Sequence, residues 1–374
     1  MKIDPFKKGE QYLAWKNKTD KQIKGISKEN SDILIRYLND MEIGINVSRC
    51  SKKGARSPNS LLSNKDRLSS LMKKIKEAFG LEDITKLTEE QIHQLFSDMS
   101  AGRITKLDGK KYICVRDFVK IFKAFWHWHQ RASKKKGIEI QDITLDLDTR
   151  EAKPDWVYLT EEQVRKLADN ARYDYRVLIL FLFDTGMRAP TELMNIRVSD
   201  FFNDFKELNI REETVKTGSF GRRIKLLICP AIVKDYIKSK NLGVNDYVFE
   251  MNPATINKYL KRLARKLFGD GESQAGEKYS RISMYDFRHC SCCYWLPRYK
   301  SESALKYRFG WKKSDKIHYY SELLGMKDTI QQEDLLIDVT KTEIEKKLSH
   351  AERDNQLLRE DNQSMKEQMQ KILE

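Results

Sequence analysis

The chain has 374 residues, 40% of them hydrophobic, which is enough for two or three domains with ordinary cores. No apolar run nears the ~18 residues of a membrane helix, and the first residues, MKIDPFKKGEQYLAW, lack the apolar middle of a secretory leader; a soluble, cytoplasmic protein is expected. A net charge of +15, with a pI of about 9.3, points to a polyanionic partner, most simply nucleic acid.

From Met1 to about Lys136 the pattern predicts a helical bundle. Ile33, Leu34, Tyr37, Leu38 and Met41 recur at helical spacing, and so do Leu68, Leu71, Met72, Ile75 and Phe79, with Gly80 as a stop. Thr88 and Gln91 form a capping-box pattern ahead of Ile92, Leu95, Phe96 and Met99. A fourth helix, Val115 to Arg131, is crowded with Phe118, Phe122, Phe125, Trp126 and Trp128, which read as core. His127 and His129, two apart, point to different faces of that helix and make a poor metal pair. Basic clusters flank the bundle: Lys52, Lys53 and Arg56 on one side, Lys134, Lys135 and Lys136 on the other. They suit phosphate contacts, or simply a solvated surface.

Residues 137–154 alternate apolar and acidic side chains and read as an extended linker. A second domain, 155–327, opens with another capping box, Thr160 and Gln163, followed by a short helix and a strongly apolar one ending at Phe183. Thr185-Gly186-Met187-Arg188 then places an arginine beyond a glycine turn, with Glu192 as a partner to orient it. Strands are expected at Glu207–Arg211, Glu213–Lys216 and Arg222–Ile228, around a turn at 217–221. Helices follow at Pro230–Lys240 and Pro253–Phe268, each with proline near its first turn. The second has a basic face, Lys258, Lys261, Arg262 and Arg265, fit to lie along a nucleic-acid backbone.

Six cysteines are too few and too unevenly placed for a disulfide framework. Cys290, Cys292 and Cys293 crowd beside His289, yet no second ligand pair sits at a zinc-like spacing, so reduced, partly buried thiols are expected and no metal.

The stretch from Ser283 to Tyr320 concentrates the chemistry. It pairs Arg288 with His289, sets Trp311 after Gly310, and ends in two phenols, Tyr319 and Tyr320. An arginine fork can hold two phosphate oxygens, an indole N–H can donate to a third, and a phenol can attack phosphorus. With Arg188 upstream, this set resembles the tyrosine recombinases, or phage integrase family, which cut DNA through a phosphotyrosine link. The motif resemblance covers about Asp155 to Leu324; the N-terminal bundle matches the family's core-binding domain by position only.

The resemblance implies residue roles. Arg188 and Arg288 are the two arginines, Lys216 in the hairpin is the acid for the leaving 5′ oxygen, Trp311 fills the His/Trp step, and Tyr320, nine residues later, is the nucleophile. His289 and His318 are supporting residues. Two departures stand out. The family's acidic residue lies three positions after the first arginine, whereas Glu192 lies four after. The histidine expected three residues before Arg288 is Tyr285, a phenol that donates well to phosphate but is a poor base near neutrality. The altered box and lysine-rich composition also resemble integrases of archaeal viruses and plasmids. The implied function is site-specific recombination of double-stranded DNA by a tetramer, with no cofactor. A type IB topoisomerase or a non-cleaving DNA-binding regulator would use the same residue set.

The expected fold is mainly α with a small antiparallel sheet in the catalytic domain, followed by a tail, 328–374. From about 342, Ile344, Leu348, Ala351, Asn355, Leu358, Asn362, Met365, Met369 and Ile372 alternate steps of four and three. That is either a coiled-coil seam for self-association or one amphipathic helix packed on its own domain.

Overall fold

The computed structural model describes residues 4–18, 22–47, 53–106, 108–150, 155–215, 219–299 and 301–324, at 315, 316, 318 and 322 through the backbone only. Lys52, Lys216 and the expected coiled coil lie outside the described residues. The chain divides into two compact units, 1–155 and 156–374, each with its own core.

The first unit is helical: α1 (Lys8–Lys18), α2 (Lys28–Ile43), α3 (Pro58–Phe79), α4 (Glu89–Ala101) and α5 (Val115–Lys134). Local chemistry sets the boundaries. Ser27, Ser57 and Thr88 cap the starts of α2, α3 and α4, with the reciprocal Gln91 bond at Thr88, and α2, α3 and α4 stop at Gly44, Gly80 and Gly102 in left-handed geometry. Phe122, Phe125, Trp126 and Trp128 of α5 are buried, and the Trp128 indole donates to Asp40 Oδ2 at 2.8 Å.

The stretch expected to be an extended linker is instead built into this unit. Ile143 and Leu147 are buried, the Trp126 indole donates to Gln141 O at 2.9 Å, and Asp142 accepts from both the Thr144 amide (2.9 Å) and hydroxyl (2.7 Å). The aspartate–threonine turn folds the chain back, so Ile143 and Leu147, four apart, share an inward side.

The second unit holds α6 (Glu161–Asp169), α7 (Tyr173–Thr185), α8 (Pro230–Ser239), α9 (Pro253–Phe268), α10 (Asp286–Trp295), α11 (Glu302–Phe309) and α12 (Asp315–Leu323). A three-stranded antiparallel sheet, ordered β1 (Phe201–Phe202), β2 (Glu207–Ile210) and β3 (Arg222–Lys225), pairs Leu208 with Ile224 and Ile210 with Arg222. Over 213–215, the described part of the expected Glu213–Lys216 strand, no strand forms. Residues Glu212–Thr214 make a 3-10 turn instead, closed by the Thr214 hydroxyl donating to Arg211 O at 2.8 Å. Helix α7 is buried nearly all round, through Val177, Leu178, Ile179, Phe181, Leu182 and Phe183. Each such side chain contributes about 1.5–3 kcal/mol of burial, which makes α7 a stiff platform for the turn at its end.

Candidate active site

Helix α7 ends at Gly186, whose φ of +58° suits glycine, and a Cβ there would overlap the Phe309 ring and stand 2.7 Å from Ser291 Oγ. The close approach leaves Gly186 O open to the Arg288 Nη1, which donates to it at 2.6 Å. Arg288, on α10, also donates through Nη2 to Phe309 O at 2.5 Å, and is buried.

Arg188 follows the turn. Its Nη1 lies 2.9 Å from Glu192 Oε1 and donates to Ser219 Oγ at 2.9 Å, while Nη2 reaches Gly310 O at 3.5 Å. The four-residue spacing to Glu192 closes an ion pair, and Glu192 Oε2 also accepts from the Arg188 amide at 3.0 Å. On its other side Glu192 Oε2 meets Arg222 Nη2 at 2.8 Å, and the two side chains are 1% and 0% exposed. Burial alone would raise the Glu192 carboxyl, but the Arg222 charge and hydrogen bond, then the Arg288 charge, bring it down to about 2. Burial and the like charge of Arg188 lower the Arg288 guanidinium to about 10, against the pull of Glu192.

Gly310 does for Arg188 what Gly186 does for Arg288. Its φ is +62°, and a Cβ would stand 2.9 Å from Arg222 Nη1 and 3.0 Å from Ser219 Oγ. Beyond it, Trp311 stacks between Phe309 (centroids 4.9 Å apart) and Tyr320 (5.9 Å, planes 9° apart). The Arg288 guanidinium lies 5.3 Å and 5.6 Å from the Phe309 and Trp311 ring centres. Tyr320 is 2% exposed, its Oη 2.5 Å from His289 Nδ1. Burial pushes the Tyr320 phenol far up, so it is neutral here.

The two neighbouring phenols part company. Tyr319 Oη accepts from the Trp156 indole at 2.5 Å, and Trp156 also covers His289, ring centres 4.7 Å apart. Asp286 holds Trp156 there by accepting from the Val157 amide at 3.0 Å and from Ser283. Tyr285 is 46% exposed at the start of α10, edge-on to His289.

The fold thus gathers Arg188, Glu192, Arg288, His289, Tyr285, Trp311 and Tyr320. His318 lies on α12, one residue before Tyr319. Of the basic clusters, Lys53 is exposed and Arg56 half-buried ahead of α3, Lys134, Lys135 and Lys136 are exposed at the end of α5, and Lys258, Lys261, Arg262 and Arg265 line the exposed face of α9. Among the described residues no group of three metal-ligating side chains converges.

Arg222, Ser219 and Trp156 join the site without having been expected. For Arg222 a signal was present: the β3 alternation that buries Ile224 also buries Arg222 two residues before it. A deeper pair supports α11, where Arg308 Nη2 lies 3.1 Å from Asp184 Oδ1. The other oxygen, Asp184 Oδ2, accepts from the amides of Leu227, Ile228 and Cys229.

Residues 157–327 match the phage integrase family. Similar solved structures include a lambda integrase dimer bound to a COC′ core site, 15% identical, covering 80% of this chain and 98% of that one with a TM-score of 0.58. The Tn1549 transposon integrase in complex with transposon right-end DNA is 14% identical, covering 84% and 98%, with a TM-score of 0.56. A lambda integrase tetramer bound to a Holliday junction is 14% identical, covering 81% and 86%, at 0.52. At these identities the likeness is one of fold. Among curated proteins none matches the sequence. Residues 157–327 thus carry a domain that matches the phage integrase family.

Proposed function

We propose that this chain is a site-specific DNA recombinase or integrase that cuts and rejoins double-stranded DNA through a 3′-phosphotyrosine on Tyr320. The observation that carries this reading is the convergence of Tyr320, Trp311, Arg288 and Arg188 around Gly310 and Phe309. In the proposed step Tyr320 Oη bonds to the scissile phosphorus and the bond to the 5′ oxygen breaks. Arg188 and Arg288 stabilise the developing charge, Tyr285 and the Trp311 indole donate to phosphate oxygens, and Lys216 protonates the leaving oxygen. The ester retains the bond energy, so religation needs no ATP, and the three cations supply the charge a metal would bring.

The lambda integrase structures, a dimer on a core site and a tetramer on a Holliday junction, support duplex DNA as the partner and a tetramer as the working assembly. The basic face of α9, with the clusters at Lys52, Lys53 and Arg56 and at Lys134, Lys135 and Lys136, would bind backbone phosphates. Two such units closing around a duplex, with the tail from about 342 aiding association, complete the proposal.

The test is covalent trapping on a library of nicked duplexes, read on a denaturing gel with the adduct peptide identified by mass spectrometry. We expect an adduct on Tyr320 that Tyr320→Phe abolishes and Tyr319→Phe retains. Tight DNA binding by wild type with no adduct overturns the reading in favour of a non-cleaving regulator.

A further inference from the structure

A phenol that attacks phosphorus must lose its proton as it does so, and the proton needs an acceptor within hydrogen-bond reach. Tyr285, where the family's histidine would stand, is itself a phenol and points its edge at a neighbouring ring, with ring centres 5.2 Å apart. That ring is His289, whose Nδ1 lies 2.5 Å from Tyr320 Oη. The pair is held on both sides: Trp156 lies against the imidazole and meets the Tyr320 ring edge-on at 6.1 Å, and Trp311 lies flat on Tyr320. Asp286 fixes the Trp156–Val157 backbone, so the contact between α10 and α12 is braced at its back.

We propose that His289 is the general base of strand cleavage. In the Nε2-protonated tautomer, Nδ1 accepts the Tyr320 proton as the phenolic oxygen bonds to phosphorus. The electron pair of the breaking P–O bond goes to the 5′ oxygen, which takes its proton from the acid. On religation the imidazolium returns its proton to Tyr320 as the phenol leaves. The role rests on the proposed function.

Burial accords with this assignment: a phenol whose pKa is pushed far up does not ionise unaided near neutrality, and the imidazole 2.5 Å away is placed to take its proton. The titratable and charged groups around the pair are Tyr285, Arg288, Cys292 and Cys293 of α10 and Tyr319 of α12. Burial raises both thiols, so they are neutral.

The test compares wild type with His289→Gln and His289→Asn on duplexes selected by trapping, made either with the natural phosphate or with sulfur as the bridging 5′ atom. A thiolate leaves without a proton, so the sulfur substrate removes the need for an acid but not for a base. We expect both variants to bind duplex as wild type does, to cleave both substrates about 10²-fold or more slowly, and to lose the acid limb of the pH–rate profile. Wild-type cleavage by either variant overturns the assignment. So does a defect that sulfur restores, which would make His289 part of the acid, and so does a slower reaction matched by weaker duplex binding, which would make it structural. If wild type forms no adduct on either substrate, the proposed function itself falls.

Discussion

Glu192→Gln tests whether one buried carboxylate organises the arginines. The wild-type carboxyl is held at about 2 instead of the ordinary 4.5, which corresponds to about 3 kcal/mol favouring the folded, ionised form at neutral pH. Removing one partner of a buried pair costs about 3–5 kcal/mol by an independent route, because Arg222 keeps its charge with no carboxylate beside it. The two figures agree, and for a unit of this size they correspond to a melting transition lowered by about 6–12 °C. The sign with pH follows from the depressed value. Glu192 contributes fully above 4.5 and its contribution fades as pH falls towards 2, so the gap between variant and wild type narrows across that window. Calorimetry at several pH values, following the transition of the second unit, reads both quantities. A variant that melts with wild type at pH 7, or a gap that stays constant from pH 7 to about 3, would refute the reasoning.

Gly186→Ala puts a Cβ in left-handed backbone, into the ring of the fully buried Phe309 and 2.7 Å from Ser291 Oγ. Destabilisation by about 2 kcal/mol or more is expected in thermal melting, with strand cleavage impaired because Gly186 O no longer meets Arg288; unchanged melting would show that the turn has room. Lys258→Ala with Arg262→Ala, on the exposed face of α9, should weaken duplex binding and reduce the slope of log affinity against log salt by about 1 for each phosphate no longer neutralised. A titration with the wild-type slope would remove that face from the interface.

The parts of this fold that could be read beforehand are those with local causes. Thr88 and Thr160 close their capping boxes with Gln91 and Gln163, prolines open α8 and α9, and Gly186 presents Arg188 where an apolar helix ends. Arg188 and Glu192 could be paired because four residues along the chain bring them together. For Arg222 the β3 alternation gave only an inward direction; the partners that hold it are distant, Glu192 30 positions earlier and Arg308 O 86 later. The His289–Tyr320 contact spans 31 positions across two helices whose packing no periodicity encodes. Residues 140–147 misled for a different reason: alternation predicts extended backbone, but the Asp142–Thr144 turn decides the path.

The charge balance explains why these features belong together. Three guanidiniums, those of Arg188, Arg222 and Arg288, surround a single carboxylate, leaving an excess of two positive charges. A phosphodiester carries one negative charge, and a second develops on its oxygens as a nucleophile adds. In the proposed reaction the cluster would match the transition state better than the substrate, and the lowered Arg288 guanidinium reflects its burial and the like charge of Arg188. A base placed beside Tyr320 must not spoil that balance. In the proposed reaction a carboxylate base would subtract from the excess at the moment the phosphate needs it, whereas a neutral imidazole would take the proton and, once charged, add to it.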